Sequence, residues 1–300
     1  MTTDAQDKKP VVIIYAPTAS GKSALALKIA KEKNGVIINA DSMQLYDVMH
    51  MLTAHPSAEE QAQAPHRLYG VLKPQEECSA QMWREMATEE INKAHANGQL
   101  PIVIGGTGFY LKALTEGLSP VPDVPPEIRA KIIALQKELG NPAFHAEFAT
   151  KDKVMTDRLH PNDTQRLIRA YEVFEATGKS LGEWQKLPTS GPPDDSWEFE
   201  YHFIDMPRDE LYARCEARFD IMIENGALDE VRHLAALIDD GIVPETALVT
   251  HALGFHPLRA YLRDEMSWED AVDKSKQETR NYAKRQLTWL RNQIRAKNQA

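Results

Sequence analysis

The sequence predicts an α/β fold. A parallel sheet forms the core, a helical block is inserted into it, and a helical region completes the C-terminus. Three observations predict this. The runs at residues 11–15, 36–40 and 100–104 are short, continuous and rich in Val and Ile, as strands buried on both faces are. Each run ends in small or polar residues and leads toward a helical pattern. Between the Pro-rich stretches at 120–126 and 188–193, helical periodicity continues with no strand signal.

The first run sets the chemistry. After Tyr15 come Ala16, Pro17, Thr18, Ala19, Ser20, Gly21, Lys22 and Ser23, then the helical apolar positions Leu25, Leu27, Ile29 and Ala30. Strand, small-residue loop, Gly-Lys-Ser and helix make a phosphate-binding loop, so the sheet is P-loop NTPase-like. Backbone N–H groups cradle phosphate oxygens, and the new helix adds its positive N-terminus. Lys22 would reach a terminal phosphate, and Ser23 would ligate magnesium. Nucleotide binding, ATP included, is the first ligand class such a loop brings. The plain alternative is a chance Gly-Lys-Ser before a helix. One slot is off-pattern: Ala16 stands where G-x-x-x-x-G-K-[ST] begins with Gly, and a Cβ is tolerable there only at negative φ.

Gly35 is expected to cap the first helix, and residues 36–40 form the second strand. That strand ends in Asp41, Ser42, Met43 and Gln44. In an open parallel sheet the carboxyl ends of the strands line the ligand crevice, so Asp41 falls beside the phosphate loop. A carboxylate there serves to coordinate magnesium, orient a nucleophile or take a proton; its plain role is to cap the next turn. Residues 47–78 are turn-rich. Their histidines, His50, His55 and His66, match no metal spacing. A helix is expected over 79–97, with Ser79 as N-cap and Gly98 past its end. The third strand runs into Gly105, Gly106 and Thr107. The glycines let backbone approach a ligand closely, and Thr107 offers a hydroxyl at a helix start. No acidic residue ends this strand, which argues against ATP hydrolysis.

The chain divides into 1–121, the first part of the core; 122–192, the helical insertion; and 193–300, core completion plus basic C-terminal helices. Within the insertion the helical patterns cover 128–139, 143–148 and 163–177. The last is preceded by a capping sequence, His160-Pro161-Asn162-Asp163, and stopped by Gly178. Arg166 and Arg169 share one face of it. After the second linker, residues 199–205 alternate as a returning strand. Helices follow over 208–225 and 228–239, then a turn at Gly254 and one long helix from about Trp268.

Net charge is −9, which by itself does not indicate a nucleic-acid binder. The charge is unevenly placed, however. From Lys274 onward eight cations face only Glu278, a net +7 that leaves −16 for the rest. Such a helix is a candidate polyanion contact, or else a solvated face. Tyr282 and Trp289 sit among its cations, spaced either to stack on bases or to pack in a core. Two distant cysteines, Cys78 and Cys215, fit a reducing cytoplasm. No secretory signal or membrane span is expected, nor any dimer seam, which leaves a cytoplasmic monomer.

Together these pieces resemble the tRNA dimethylallyltransferases (tRNA isopentenyltransferases, the IPP transferase family). The matching motifs are Pro-Thr-Ala-Ser-Gly-Lys-Ser at 17–23, Asp-Ser-x-Gln-x-Tyr at 41–46, Ala-Pro-His-Arg-Leu at 64–68 and Gly-Gly-Thr-Gly-Phe-Tyr at 105–110. Asn-Asp-Thr-Gln-Arg-Leu-Ile-Arg-Ala at 162–170, Arg-Phe-Asp-Ile-Met at 218–222 and Tyr-Ala-Lys-Arg-Gln-Leu-Thr-Trp-Leu-Arg at 282–291 complete the series. Seven collinear motifs span nearly the whole chain.

The resemblance implies transfer of a dimethylallyl group from dimethylallyl diphosphate to N6 of adenosine 37 of tRNA, next to the anticodon. The loop 16–23 would then hold diphosphate, with Mg2+ on Ser23 and Lys22 against the leaving group. Asp41 would deprotonate the adenine amine, Thr107 would orient it, and Arg166 would reach diphosphate or tRNA. The anticodon stem-loop, its adenosine flipped from the stack, would meet Asp41, Ser42, Met43, Gln44 and Thr107. It would also meet Arg129, Gln165, Arg166, Leu167, Ile168 and Arg169 of the insertion.

The chain departs from the family at Ala16, and again at residues 49–56. There Met-His-Met-Leu-Thr-Ala-His-Pro stands for Met-Asp-Ile-Gly-Thr-Ala-Lys-Pro. Leu52 for Gly asks for a backbone change, and His55 for Lys removes a fixed charge. His251 to His256 is a loosened form of a further family motif. A P-loop small-molecule or nucleotide kinase is the alternative enzyme, and an RNA-binding protein with a decayed site is the non-catalytic one.

Overall fold

The computed structural model describes residues 8–189 and 194–292. The chain forms two compact units, residues 1–115 with 193–300, and residues 116–192. Residues 116–121, grouped with the core on sequence, belong to the second unit.

The first unit begins with β1 (Lys9–Tyr15), α1 (Lys22–Lys33) and β2 (Gly35–Asn39). Next come α2 (Ala58–Gln63), β3 (His66–Arg67), α3 (Ala80–Ala96), β4 (Leu100–Gly105) and α4 (Gly108–Glu116). Hydrophobic periodicity misses α2 because the helix has no buried residue. It is held by a capping box in which Ser57 and Glu60 satisfy each other's backbone N–H groups. β3 is missed because two residues carry no period.

Gly35 is not the cap of α1. Asn34 takes the left-handed position, φ 50°, and Gly35 opens the strand. A Cβ at Gly35 would lie 2.6 Å from Ile102 Cδ1 and 2.9 Å from the Ala30 backbone, so the glycine is there for close packing. Ser79 does cap α3, accepting from Met82 N–H, and Gly98 follows at φ 65°.

After the second unit the chain returns as β5 (Trp197–Phe203), two residues earlier than the alternation suggested. The order in the sheet is β3-β2-β4-β1-β5, all parallel. β4 is therefore central with β1 and β2 on its two sides, and the carboxyl ends of the three lie side by side. Val11 to Ile14, Ile37, Ile38, Ile102 and Val103 are fully buried. On one face Trp83 of α3 stacks on Tyr110 of α4 at 4.7 Å between centroids. The Trp83 indole N–H donates to the Asn39 carbonyl at 2.8 Å, so the ring both fills the core and closes the end of β2.

The helices of the second unit are α5 (Pro126–Ala149), α6 (Lys153–Thr156), α7 (Thr164–Thr177) and α8 (Leu181–Trp184). α5 breaks at Gly140, φ 69° and ψ 166°, two residues before Pro142, which is the interruption the sequence places there. Asp163 precedes α7 without capping it through its side chain. Ile132, Phe144, Phe148, Leu167 and Tyr171 form this unit's core.

The first unit closes with α9 (Arg208–Glu224), α10 (Ala227–Asp239), α11 (Phe255–Leu262) and α12 (Trp268–Leu290). Among the described residues no helix is long and apolar enough to cross a membrane.

Candidate functional site

The loop between β1 and α1 leaves the centre of the sheet. Ala16 is fully buried and keeps φ out of the left-handed region, so no glycine is needed there. Left-handed backbone falls instead at Ala19, φ 62°, and Gly21, φ 91°. Pro17 and Ser20 are buried, Thr18, Ala19 and Lys22 half-buried, and Gly21 and Ser23 exposed. The Ser20 hydroxyl is buried with no hydrogen-bond partner. Burial pulls the Lys22 ammonium down to about 8; Asp41 opposes that and Arg218 reinforces it.

Two strands away, Asp41 is held from several directions. Its N–H donates to Asn39 Oδ1 at 2.8 Å, and its carbonyl accepts from Asn39 Nδ2 at 3.0 Å. Asn39 is fully buried and also donates to the Leu68 carbonyl at 2.9 Å. The Asp41 carboxylate accepts from Met43 N–H at 3.0 Å through Oδ1. The turn-capping role weighed for Asp41 is thus real and uses one oxygen atom. Asp41 also acts electrostatically on Lys22, Arg218, Tyr69 and Tyr282. Burial raises both tyrosines well above the ordinary phenol value.

β4 delivers the third piece. A Cβ at Gly105 would sit 2.1 Å from the Ala40 carbonyl, so glycine is required for β4 to run this close to the end of β2. That approach sets Thr107 against Ser42. The Thr107 hydroxyl oxygen accepts from Ser42 N–H at 3.1 Å, and its O–H donates to Ser42 Oγ at 3.4 Å. Gln44 is committed elsewhere, donating to the carbonyls of Thr53 and Ala54 at 2.8 Å each. Met43 is half-buried.

Sequence reasoning assigned no role to Arg218 of α9. Its guanidinium donates to the Thr18 hydroxyl, and burial lowers its pKa, a shift that Cys215 and Asp41 oppose. Arg214, one turn earlier, lies 4.0 Å from the position of a Cβ on Gly21. The signal was available, since Arg218 opens the Arg-Phe-Asp-Ile-Met motif. Asn39 was missed too, although a polar residue ending an apolar strand asks for a reason.

The basic helix is less free than its composition suggests. Lys276 pairs with Asp220 at 2.6 Å, Arg280 with Glu216, and Arg291 with Asp205 at 2.5 Å. Arg295 and Lys297 lie outside the described residues. Lys284 and Arg285 remain exposed, around a pocket of about 470 Å³ shared with Asn281, Thr288, Trp289 and Asn292. Tyr282 and Trp289 are both half-buried, and Trp289 packs on the core.

The remaining predicted residues lie on the helical unit. Leu167 and Ile168 are 0% and 6% exposed in that unit's core. These side chains hold α7 in place. Gln165 is exposed. Arg129 and Arg169 share the fully buried Glu172, at 3.1 and 2.7 Å. Arg166 is 77% exposed and meets Asp163 at 3.8 Å.

The departures at residues 49–56 are accommodated. Left-handed backbone falls at Met49 and Ala54, not at Leu52, which is buried in the cluster formed with α10 and α11. Glu230 of α10 accepts from the Met51 and Leu52 N–H groups at 2.9 and 3.0 Å. His55 stacks on His50 at 4.4 Å, and burial lowers its pKa to about 4, so it carries no charge at neutral pH.

Among the described residues no three His, Cys, Asp or Glu side chains converge to hold a metal. A hydroxyl and a carboxylate do fit an ion held mainly by phosphate oxygens and water.

Known proteins carry the same architecture. A tRNA dimethylallyltransferase of Rhodospirillum centenum is 51% identical over 96% of this chain and 90% of its own length. The crystal structure of a tRNA isopentenylpyrophosphate transferase from Staphylococcus epidermidis is 34% identical, with TM-score 0.65 over 96% of this chain and 91% of that one. A eukaryotic dimethylallyltransferase, solved acting on tRNA, matches at TM-score 0.80 and 26% identity over 97% of this chain and 72% of that one. The sequence profile of the IPP transferases matches residues 44–293, and the chain belongs to the IPP transferase family.

Proposed function

We propose that this enzyme transfers a dimethylallyl group from dimethylallyl diphosphate to N6 of adenosine 37 in tRNA, giving N6-isopentenyladenosine and diphosphate. The observation that carries the reading is the convergence of Lys22, Asp41 and Thr107, which follow the carboxyl ends of three neighbouring strands, with Arg218 from beyond the midpoint of α9. A leaving-group anion and a weakly nucleophilic amine are the two things such a set serves.

The loop 16–23 takes the diphosphate. Its N–H groups at the start of α1 lack intrahelical acceptors, and Ser20 Oγ offers a buried, unpaired hydroxyl. Lys22 and Arg218 neutralise the charge that grows as the C1–O bond breaks, in a site where preorganised charge costs no reorganisation. Ser23 would help to hold magnesium, which would supply further neutralisation when bound. Asp41 accepts the N6 proton as the C1–N6 bond forms, and Thr107 fixes the angle of the amine. The adenine must leave its stack to reach these groups. Lys284, Arg285, Arg129, Gln165, Arg166 and Arg169 offer cationic and polar contacts to the RNA backbone. Two buried free cysteines support a reducing, cytoplasmic setting, and we take the working unit as a monomer.

The direct test is incubation with dimethylallyl diphosphate, magnesium and unmodified tRNA, followed by digestion and mass analysis for N6-isopentenyladenosine. No product under those conditions sinks the reading.

A further inference from the structure

Two polar side chains of α12, Tyr282 and Gln286, sit one helical turn apart and reach inward. Gln286 is 5% exposed, and both ends of its amide are used. Oε1 accepts from Thr18 N–H at 2.9 Å, and Nε2 donates to the Gly106 carbonyl at 2.9 Å. Turning the amide over would set donor on donor and acceptor on acceptor, so its orientation is fixed by its partners. A Cβ at Gly106 would lie 2.0 Å from Nε2, so only glycine admits the amide. Tyr282 brings its hydroxyl to the side chains of Thr107 and Gln286.

Thr18 belongs to the phosphate loop, and Gly106 precedes the threonine set against Ser42. One buried amide therefore spans the two loops that would hold the two substrates. The same helix shows Lys284 and Arg285 on its outer side.

We propose that Gln286 is a positioning residue that fixes the spacing between the leaving-group loop and the amine-orienting loop. α12 thereby registers the two substrates against each other as well as offering cations to RNA. The inference rests on the prenyl-transfer reading. Its physical basis is that transfer between two bound groups tolerates little error in their separation, with about 1 Å costing about a hundredfold.

The test compares Gln286→Ala and Gln286→Glu with the parent. Alanine removes both bonds, while glutamate keeps the acceptor for Thr18 and loses the donor to Gly106. For Q286A we expect kcat to fall by about 10- to 100-fold and KM for dimethylallyl diphosphate to rise by about tenfold. For Q286E we expect the fall in kcat alone. The tRNA dissociation constant should stay within about twofold of the parent in both. A role confined to folding would lower the folded fraction, which reduces the apparent kcat in proportion and leaves KM unchanged. The kcat is therefore referred to the folded fraction measured by circular dichroism, and a normal kcat on that basis overturns the proposal. Parental kcat in Q286A overturns the proposal. So does loss of tRNA binding in step with loss of rate, or identical KM in the two variants. If Q286A does not fold, Q286E decides through its kcat.

Calorimetric binding of inorganic diphosphate with magnesium needs no turnover. A parent that binds diphosphate but forms no product removes the prenyl-transfer reading alone. Weaker diphosphate binding by Q286A than by Q286E then still supports the link to Thr18, and equal binding removes it.

Discussion

The two units treat the charges proposed for function in opposite ways. In the sheet unit Asp41 is gripped by Asn39 and Met43, Arg218 by Thr18, and Lys22 is drawn inward enough to lose much of its basicity. In the helical unit Arg166 stands 77% exposed on a long, weak pair with Asp163. Groups that must meet a reacting atom are held in advance, so their ordering cost falls on folding and not on the reaction. Groups proposed to meet a flexible polyanion are left exposed, and salt screens what they do. Arg129 and Arg169 are intermediate, since the buried Glu172 fixes one end while their side chains stay about 45% exposed.

This contrast can be broken most sharply at Asp41. Asp41→Asn keeps an oxygen for Met43 N–H but removes the proposed base. Single-turnover rates should fall by about 10²- to 10⁴-fold while tRNA binding by filter assay holds. Arg218→Ala should cost about 10²- to 10³-fold in rate and weaken diphosphate binding, because Thr18 loses its partner as well.

Lys22 sharpens the comparison through pH. Its charge is present below about 8, so affinity for inorganic diphosphate should fall as pH rises through that value. The sign for stability is opposite. Below about 8 the buried ammonium opposes folding, and between there and 10.5 the unfolded chain binds the extra proton. The free protein should gain stability from this group across that window in urea titrations.

In the helical unit Glu172→Gln removes the charge that collects Arg129 and Arg169. It should cost about 1–3 kcal/mol of stability and a few-fold in tRNA affinity, with diphosphate binding untouched. Arg166→Ala should be the mildest change. Thermal unfolding should move by less than about 0.5 kcal/mol, and the salt dependence of tRNA binding should lose about one unit of slope.

The sheet was legible because Val- and Ile-rich runs of five residues admit few alternatives. The loop, Asp41 and Thr107 were legible because parallel topology gathers the strand ends. What escaped was long-range. Arg218 reaches Thr18 across 200 positions and Gln286 reaches it across 268, and no local pattern announces either. The burial of Leu167 and Ile168 in the helical unit's core was not legible in the motif that contains them. A motif spans whole helical turns, and a helix turns two of every four residues inward. The basic tail was over-read for a related reason, since counted charges do not reveal that Asp220, Glu216 and Asp205 wait opposite them.

The strand order has a consequence for how the molecule is made. β1 is made before both strands it pairs with: β4 follows some ninety residues later, and β5 nearly two hundred residues later. Until β5 exists, one edge of the strand that carries the phosphate loop is unpaired. Non-local parallel pairing of this kind forms slowly and leaves exposed edges at risk of aggregation. The amide that bridges the loop arrives later still, at residue 286 of 300. A nascent or truncated chain that stops short of α12 can therefore own every residue of the phosphate loop and still lack the bridge that sets it.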